Sequence, residues 1–591
     1  MIGGLNRFRR IAAAVYHLGP RRAALNVKAR LLRPAFDPAR YRLRRGTDLL
    51  YIGRPRVPLR MEPGAARFEW PERRFTVFGR SRVLGNPPDW EPPEELLWLF
   101  NLHYFGYLDQ LPPAGRLALA LEWIEGHGPD PVRPGWRPYS LSLRLRNWTR
   151  ALFAAGVHMT DEQRAVLVAS IEAQGDCVAH GVEYHLGANH LLENAITLKF
   201  LAACFTGSAV RRWNAIAERI LQREISEQFL ADGGHFERSP MYHALLTDGL
   251  LDLVNVLPDE DAVRIHLLSR LPGILGYLDV LAHPDGGPPL FNDCALDLAP
   301  WPRRLLAYAA EMGLRPALGE REQPTQGAVA HFPESGYHAW RAPGVAFFYD
   351  AGPVGPDYQP AHAHGDMFSF ELSAGGRRLV VDGGTSTYAV GAERAWARST
   401  AAHNTVELDG QSQCEFFGAF RVGRRGRPHG VTFAREDQGL HVRGWHDGYA
   451  RLAGGPRHER EVRFLAPGVL LIWDEVQSLR PHRAVSRIRF APGAVLEPSG
   501  QQAFRVRLGE VSYTVSAFGG ELRPEGAFYA PRFGERVPCE ALALVKASEP
   551  DFGYALAPVG VPVQIDSEGA RVGPTRVERW RSHGRFVDFL F

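Results

Sequence analysis

The feature that most constrains this chain is a change of hydrophobic period close to residue 325. Upstream, from about Pro92 to Arg315, segments such as EELLWLFNLHYFGYLDQL, SLSLRLRNWTRALFAAGV, TDEQRAVLVASIEAQGDCVAHGV, ANHLLENAITLKFLAACF and MYHALLTDGLLDLVNVL place apolar residues three and four apart. That spacing makes one apolar stripe on a helix, and Gly, Pro and Asp at the joints supply stops and starts. Downstream, GVAFFYDAG, MFSFELSAGGRRLVVDGG, VTFAREDQGLHVRGW and REVRFLAPGVLLIWDEV are short, alternating and punctuated by Gly, Asp and Pro, as strands are. The chain therefore reads as a multidomain α+β protein. Residues 1–90 form a basic lead-in, 91–325 a domain of helical hairpins packed in a row or closed into a toroid, and 326–591 an antiparallel β-sandwich. A ligand cleft is expected at the junction of the last two.

Composition then removes several classes of function. With 45% hydrophobic and 23% charged residues the chain is globular rather than disordered. A net charge of +4 on so large a surface gives no general case for nucleic acid. Only Lys28, Lys199 and Lys546 among the 69 basic residues are lysines, which leaves 66 arginines. A GC-rich genome explains most of that bias, and planar forks suited to carboxylates or sulfates are its functional reading. The five cysteines are scattered without a CxxC pair, against a disulfide scaffold or zinc finger. The N-terminus, MIGGLNRFRRIAAAVYHLGPRR, reads as an amphipathic basic helix rather than a signal peptide, so the cytoplasm is the default location and the periplasm the alternative. The most apolar later segment, LLSRLPGILGYLDVLA, is interrupted by Arg270 and Pro272, and no segment is long enough to span a membrane.

Four clusters can carry chemistry. In HAHGD, His362 and His364 would share one strand face if the segment is extended, and with Asp382 of RLVVDGG and His403 of STAAHNTV they form a set suited to zinc. A metal-free His/Asp hydrogen-bond network is the competing reading. In GANHLLENA, Asn189 starts a helix on which His190 shares a face with Glu193 and Asn194. In DGGHFERSPMYH, Ser239-Pro240 begins a helix with Tyr242 and His243 in its first turn, where the positive helix pole is expected to lower a tyrosine pKa. Finally Arg394, Trp396 and Arg398, with Tyr388 upstream, combine forks and stacking faces for an acidic sugar.

These segments, in this order and together with NLHYFGYL, WHDGY, GGPRHER and FLAPGVLLIWDEV, resemble the heparinase II/III family of polysaccharide lyases, which includes alginate and oligoalginate lyases. The resemblance runs over about residues 95–480. It implies an incomplete (α/α) toroid followed by an antiparallel β-sandwich, and cleavage of a uronic-acid polymer by β-elimination. It implies Asn189 and His190 as the groups that neutralise the uronate carboxylate, Tyr242 as acid or as acid and base, and His362 as base or neutraliser. By the same resemblance His364, Asp382 and His403 hold a structural Zn2+, and Glu193 and Tyr388 match site positions; Arg238 as the cation nearest Tyr242, His243 as its neighbour, and Arg394 and Arg398 of the aromatic and basic cluster complete the candidate substrate contacts. The partner implied is an acidic polysaccharide or oligosaccharide, and a homodimer stays open.

Two other readings compete. A toroid glycoside hydrolase needs two carboxylates across the cleft, and Asp232, Glu237, Asp248 and Asp293 are candidates. A non-catalytic acidic-glycan-binding protein in exopolysaccharide assembly would keep the groove without the chemistry.

Overall fold

The computed structural model describes residues 47–61, 64–317, 327–436, 439–546 and 551–579, together with Ala12, Ala13 and Tyr16, which are helical. The rest of the predicted N-terminal helix, and position 325 itself, lie outside the described residues.

The first half is helical, as its period requires. Helices Pro138–Trp148, Ala188–Cys204 and Pro240–Val256 pack side by side, and Asp161–His180, Val210–Gln228 and Ala262–Val280 lie against them. Local signals set several starts. Thr160 and Gln163 form a reciprocal capping box ahead of Asp161, Asp261 accepts from the amides of Val263 and Arg264, and Ser239 accepts from the Tyr242 amide with Pro240 in the first turn. Ala188–Cys204 is buried along its length except at His190, Ala202 and Ala203. Truncating a fully buried residue there, such as Leu192 or Ile196, is expected to cost about 2–5 kcal/mol.

Two predicted segments behave differently. EELLWLFNLHYFGYLDQL is not one helix: Leu96–Tyr104 stops at Phe105, whose φ is 57°, and a short turn of helix follows at Leu108–Gln110. Conversely Ala262–Val280 runs through Pro272, whose carbonyl accepts from the Ala317 amide.

The second half is built of antiparallel sheets. A five-stranded meander holds Ala328–Phe332, Tyr337–Ala342, Val345–Asp350, Phe370–Ala374 and Arg377–Val380 in sequence order. An eight-stranded sheet contains Pro428–Glu436, Gly439–His446, Arg457–Leu465 and Val469–Gln477, continues through Asp551–Pro558, and ends on Val495–Gly500. A four-stranded sheet pairs Ala484–Arg489 with Val406–Leu408 and Val537–Lys546. The alternating residues face a shared core: Phe347 of the meander stacks on Phe464 of the eight-stranded sheet at 4.6 Å, and Ile488 and Leu542 of the four-stranded sheet join the same cluster.

A non-helical stretch at 282–300, between Ala262–Val280 and the last described helix of this half, Pro302–Glu311, ties the halves together. It lies within the helical half but bonds to the sheet half: the Asn292 amide donates to Asp366, the Asp293 amide to the His362 carbonyl, and the Leu296 amide to the Pro531 carbonyl. At one rim Tyr358 donates to Glu227 at 2.6 Å and Gln359 to the Leu186 carbonyl at 3.1 Å. The residues that lead into His362 are thereby tied to the helical half.

Candidate active site

The ends of two buried helices face a loop of the sheet half. Gly187, with φ 65°, turns the chain into Ala188–Cys204 and puts Asn189 and His190 in its first turn. Tyr242 occupies the first turn of Pro240–Val256, and its amide is capped by Ser239. His362 comes from the opposite half. Its ring lies against Tyr242 with centroids 3.9 Å apart, and its Nε2 is 3.4 Å from Asn189 Nδ2 and 3.9 Å from Glu237. Asn189 Nδ2 also donates to both oxygens of Glu237, at 3.1 and 3.0 Å. Sequence elements more than a hundred residues apart thus converge on one cluster.

The electrostatics divide the groups. Burial pushes the Tyr242 phenol well above its ordinary value, and Tyr388, whose hydroxyl lies 3.2 Å away, adds to this. The lowering expected from the helix pole is therefore overturned, because burial outweighs a screened dipole at a helix end. Burial opposes the charged form of His190, but Glu183, 3.2 Å from Nδ1, outweighs it and raises the pKa. Tyr242 is held as a proton donor and His190 toward its imidazolium.

Behind His362 stands a polar network. Nδ1 of His362 donates to Asp293 at 3.0 Å, and Nε2 of His364 donates to the other Asp293 oxygen at 2.9 Å. Arg394 pairs with the same carboxylate through both terminal nitrogens. Burial alone would raise the Asp293 pKa, but the Arg394 guanidinium and the two histidine hydrogen bonds hold it well below the usual carboxylate range. His362 and His364 lie in a turn and loop rather than a strand, so it is Asp293, not strand alternation, that brings them together.

The predicted metal set changes by one residue. His364 Nδ1 and His403 Nε2 are buried and have no hydrogen-bond partner, and Asp366 offers the third ligand atom within 4.8 Å of both. Asp382 instead accepts from His403 Nδ1 at 2.7 Å, on the far side of the ring. Two bare imidazole nitrogens beside a carboxylate suit a divalent cation such as zinc, and a carboxylate behind each histidine suits it further.

The predicted substrate contacts divide as well. Tyr388 lies beside Tyr242, hydroxyl to hydroxyl. Glu193 lies one turn below His190, buried 3.4 Å from Arg146 and accepting from Thr197. The others point into the protein. Arg238 donates to the carbonyls of Ser335, Phe236 and Glu334, and Arg398 to those of Ala363, Ala419 and Arg421. Arg394 is spent on Asp293 and the Ala419 carbonyl. His243 donates to the Ile274 carbonyl in the core, where burial lowers its pKa to about 4.

Known proteins share this two-part organisation. The family model described as heparinase II/III N-terminus matches residues 104–307, and the one described as heparinase II/III-like, C-terminal, matches residues 324–568. The chain belongs to the heparinase II/III family. A heparin-sulfate lyase of Bacteroides stercoris is 27% identical over 314 residues, covering 48% of this chain and 44% of that protein. Its counterpart in Pedobacter heparinus is 26% identical over 309 residues, 47% and 44% of the two chains. The chain thus spans somewhat less than half the length of these curated relatives. A crystal structure of heparinase III superposes with a TM-score of 0.67 at 17% identity, covering 84% of this chain and 85% of the other. A heparan sulfate lyase structure from Pedobacter heparinus gives 0.57 at 17% identity, over 85% and 87%. At such identity the likeness concerns the fold.

Within this heparinase II/III chain three further carboxylates adjoin the predicted residues. Glu183 pairs with His190, Glu237 faces Asn189 and His362, and Asp366 completes the candidate metal cluster. Asp366 was visible in HAHGD beside the histidines, Glu237 was named above only for the hydrolase reading, and Glu183 had no local signal beyond being a carboxylate.

Proposed function

We propose that this protein is a polysaccharide lyase that cleaves a uronic-acid-containing acidic polysaccharide by β-elimination, leaving a C4–C5 unsaturated uronate. The observation that carries the reading is the face-to-face placement of Tyr242 and His362 at 3.9 Å, with His362 Nε2 turned toward Asn189. The C5 proton of a uronate is weakly acidic while the adjacent carboxylate is ionised, so that charge has to be dispersed first. Asn189, through its amide, and His190, favoured as imidazolium by Glu183, take this part. His362 Nε2 accepts the C5 proton, the C4–C5 double bond forms, and the C4–O4 bond breaks. Tyr242 then gives its phenolic proton to the departing oxygen, a step suited to a hydroxyl held protonated by burial. Tyr388 supports the phenolate by its hydrogen bond.

The finer fold reading is an incomplete (α/α) toroid joined to an antiparallel β-sandwich, with the cleft between them. His364, Asp366 and His403 would hold a zinc ion, whose contribution is to cross-link the sheet wall rather than to act on substrate. The hydrolase alternative, which needs two carboxylates, loses support because three of its four candidates, all but Glu237, are tied up. Asp293 is paired with Arg394, Asp248 with Arg146 and Arg150, and Asp232 accepts from the amides of Glu334 and Ser335.

The test is incubation of the purified protein with a panel of uronate polymers, following ultraviolet absorbance of the new double bond beside reducing ends. Both are expected to rise together. Reducing ends without absorbance would show hydrolysis, and binding without either would show a non-catalytic protein.

A further inference from the structure

Asp293 is the most heavily used side chain in the cleft, although it need not touch substrate. It is fully buried, and each of its oxygens serves a different histidine. Oδ2 accepts from His362 Nδ1 at 3.0 Å, and Oδ1 accepts from His364 Nε2 at 2.9 Å and from Thr385 at 3.4 Å. Arg394 spans the pair from the remaining side. The residue is also located through its backbone: its amide donates to the His362 carbonyl, and Ser239 Oγ donates to its carbonyl at 2.6 Å.

An ionised carboxylate can only accept hydrogen bonds, so each histidine carries its proton on the nitrogen that faces Asp293. In a neutral imidazole the opposite nitrogen is then the one free to accept. For His362 that is Nε2, aimed at Asn189 and Glu237; for His364 it is Nδ1, buried without a partner beside His403 and Asp366. One carboxylate therefore sets the working nitrogen of two imidazoles with different jobs.

We infer that Asp293, clamped by Arg394, is a positioning residue that presents His362 to the substrate and His364 to the metal at once, so that base and metal site are set together. The inference rests on the reading of His362 as the base. An amide at this position cannot do the same, because it offers one acceptor and one donor where two acceptors are in use. Where a carboxylate behind a catalytic histidine is replaced by its amide, kcat falls by about 10⁴ with the geometry intact.

The test uses the full chain as Asp293→Asn and as the double variant Asp293→Asn/Arg394→Gln, which avoids leaving an unpaired buried guanidinium. Steady-state elimination is measured beside the zinc-to-protein ratio after equilibration with limiting zinc. In the folded double variant kcat is expected to fall by about 10²–10⁴-fold while KM stays within about threefold, and zinc retention to fall with it. Wild-type kcat, a loss confined to KM, or a loss of kcat with zinc retention unchanged overturns the proposal. His362→Ala separates this from the reading beneath it. Elimination surviving in His362→Ala refutes His362 as base and the inference together; elimination lost there but kept in the Asp293 variants refutes the inference alone.

Discussion

The two walls of the candidate site reach a defined geometry by different routes. On the helical wall, Asn189, His190 and Tyr242 sit in first turns, and each is placed by a few neighbours in sequence: Gly187 in one case, Ser239 and Pro240 in the other. On the sheet wall, His362 lies in a turn and depends on Asp293 and, through it, on Arg394, 101 residues farther along. A helix start is rigid by construction. A loop needs a network, and here the network reaches the candidate metal ligand His364 and, beyond it, His403 and Asp366. The helical wall should therefore fail one residue at a time and the sheet wall as a unit.

The largest effect expected on the helical wall is that of Tyr242→Phe. It removes the phenolic proton but keeps the ring against His362, so elimination should drop by about 10²–10⁴-fold with the unfolding temperature nearly unchanged. Turnover within a few-fold of wild type, followed by ultraviolet absorbance, would take Tyr242 out of the mechanism. On the sheet wall, chelation of a zinc-loaded sample should lower the unfolding temperature, with near-ultraviolet circular dichroism lost before the helical signal. Asp366→Asn should weaken zinc more than Asp382→Asn, whose effect passes through His403 and is expected at about 10–100-fold in affinity. Equal losses would make Asp382 a ligand too.

A smaller effect concerns pH. The His190 pKa is raised above 6.5 by Glu183, so its imidazolium is complete at low pH and lost as pH rises through that raised value. The stability contributed by the pair has the same sign: present below the unfolded value, lost through the folded one. The alkaline limb of kcat/KM should therefore move to lower pH in Glu183→Gln, and an unmoved limb would detach His190 from the rate. The smallest effect is that of Ser239→Ala, about 1–3 kcal/mol from the lost cap and the lost hydrogen bond to the Asp293 carbonyl, read by denaturant unfolding.

Much of this was legible in advance where the cause is local. The period change marks which segments become helices and which become strands, and GANHLLENA and SPMYH announce their helix starts by Gly, Ser and Pro. What failed depends on tertiary surroundings. A guanidinium looks the same in sequence whether it meets a sugar or a carbonyl, and Arg238 and Arg398 proved to be internal struts whose forks collect backbone oxygens. The choice between Asp366 and Asp382 turns on which carboxylate faces the bare nitrogens, a matter of orientation that no spacing encodes. The Tyr242 shift went the other way because the helix pole is readable from SPMY and the depth of burial is not.

The scattered cysteines have a consequence of their own. Cys177, Cys204, Cys294, Cys414 and Cys539 are all buried, and no disulfide joins any two of them. Burial raises the thiol pKa at four of them, to about 11 at Cys414 and Cys539 and higher at Cys204 and Cys294. Thiols so held carry almost no thiolate at neutral pH and are slow to be oxidised or exchanged. Reducing and oxidising surroundings should therefore leave these four thiols, and the packing around them, the same.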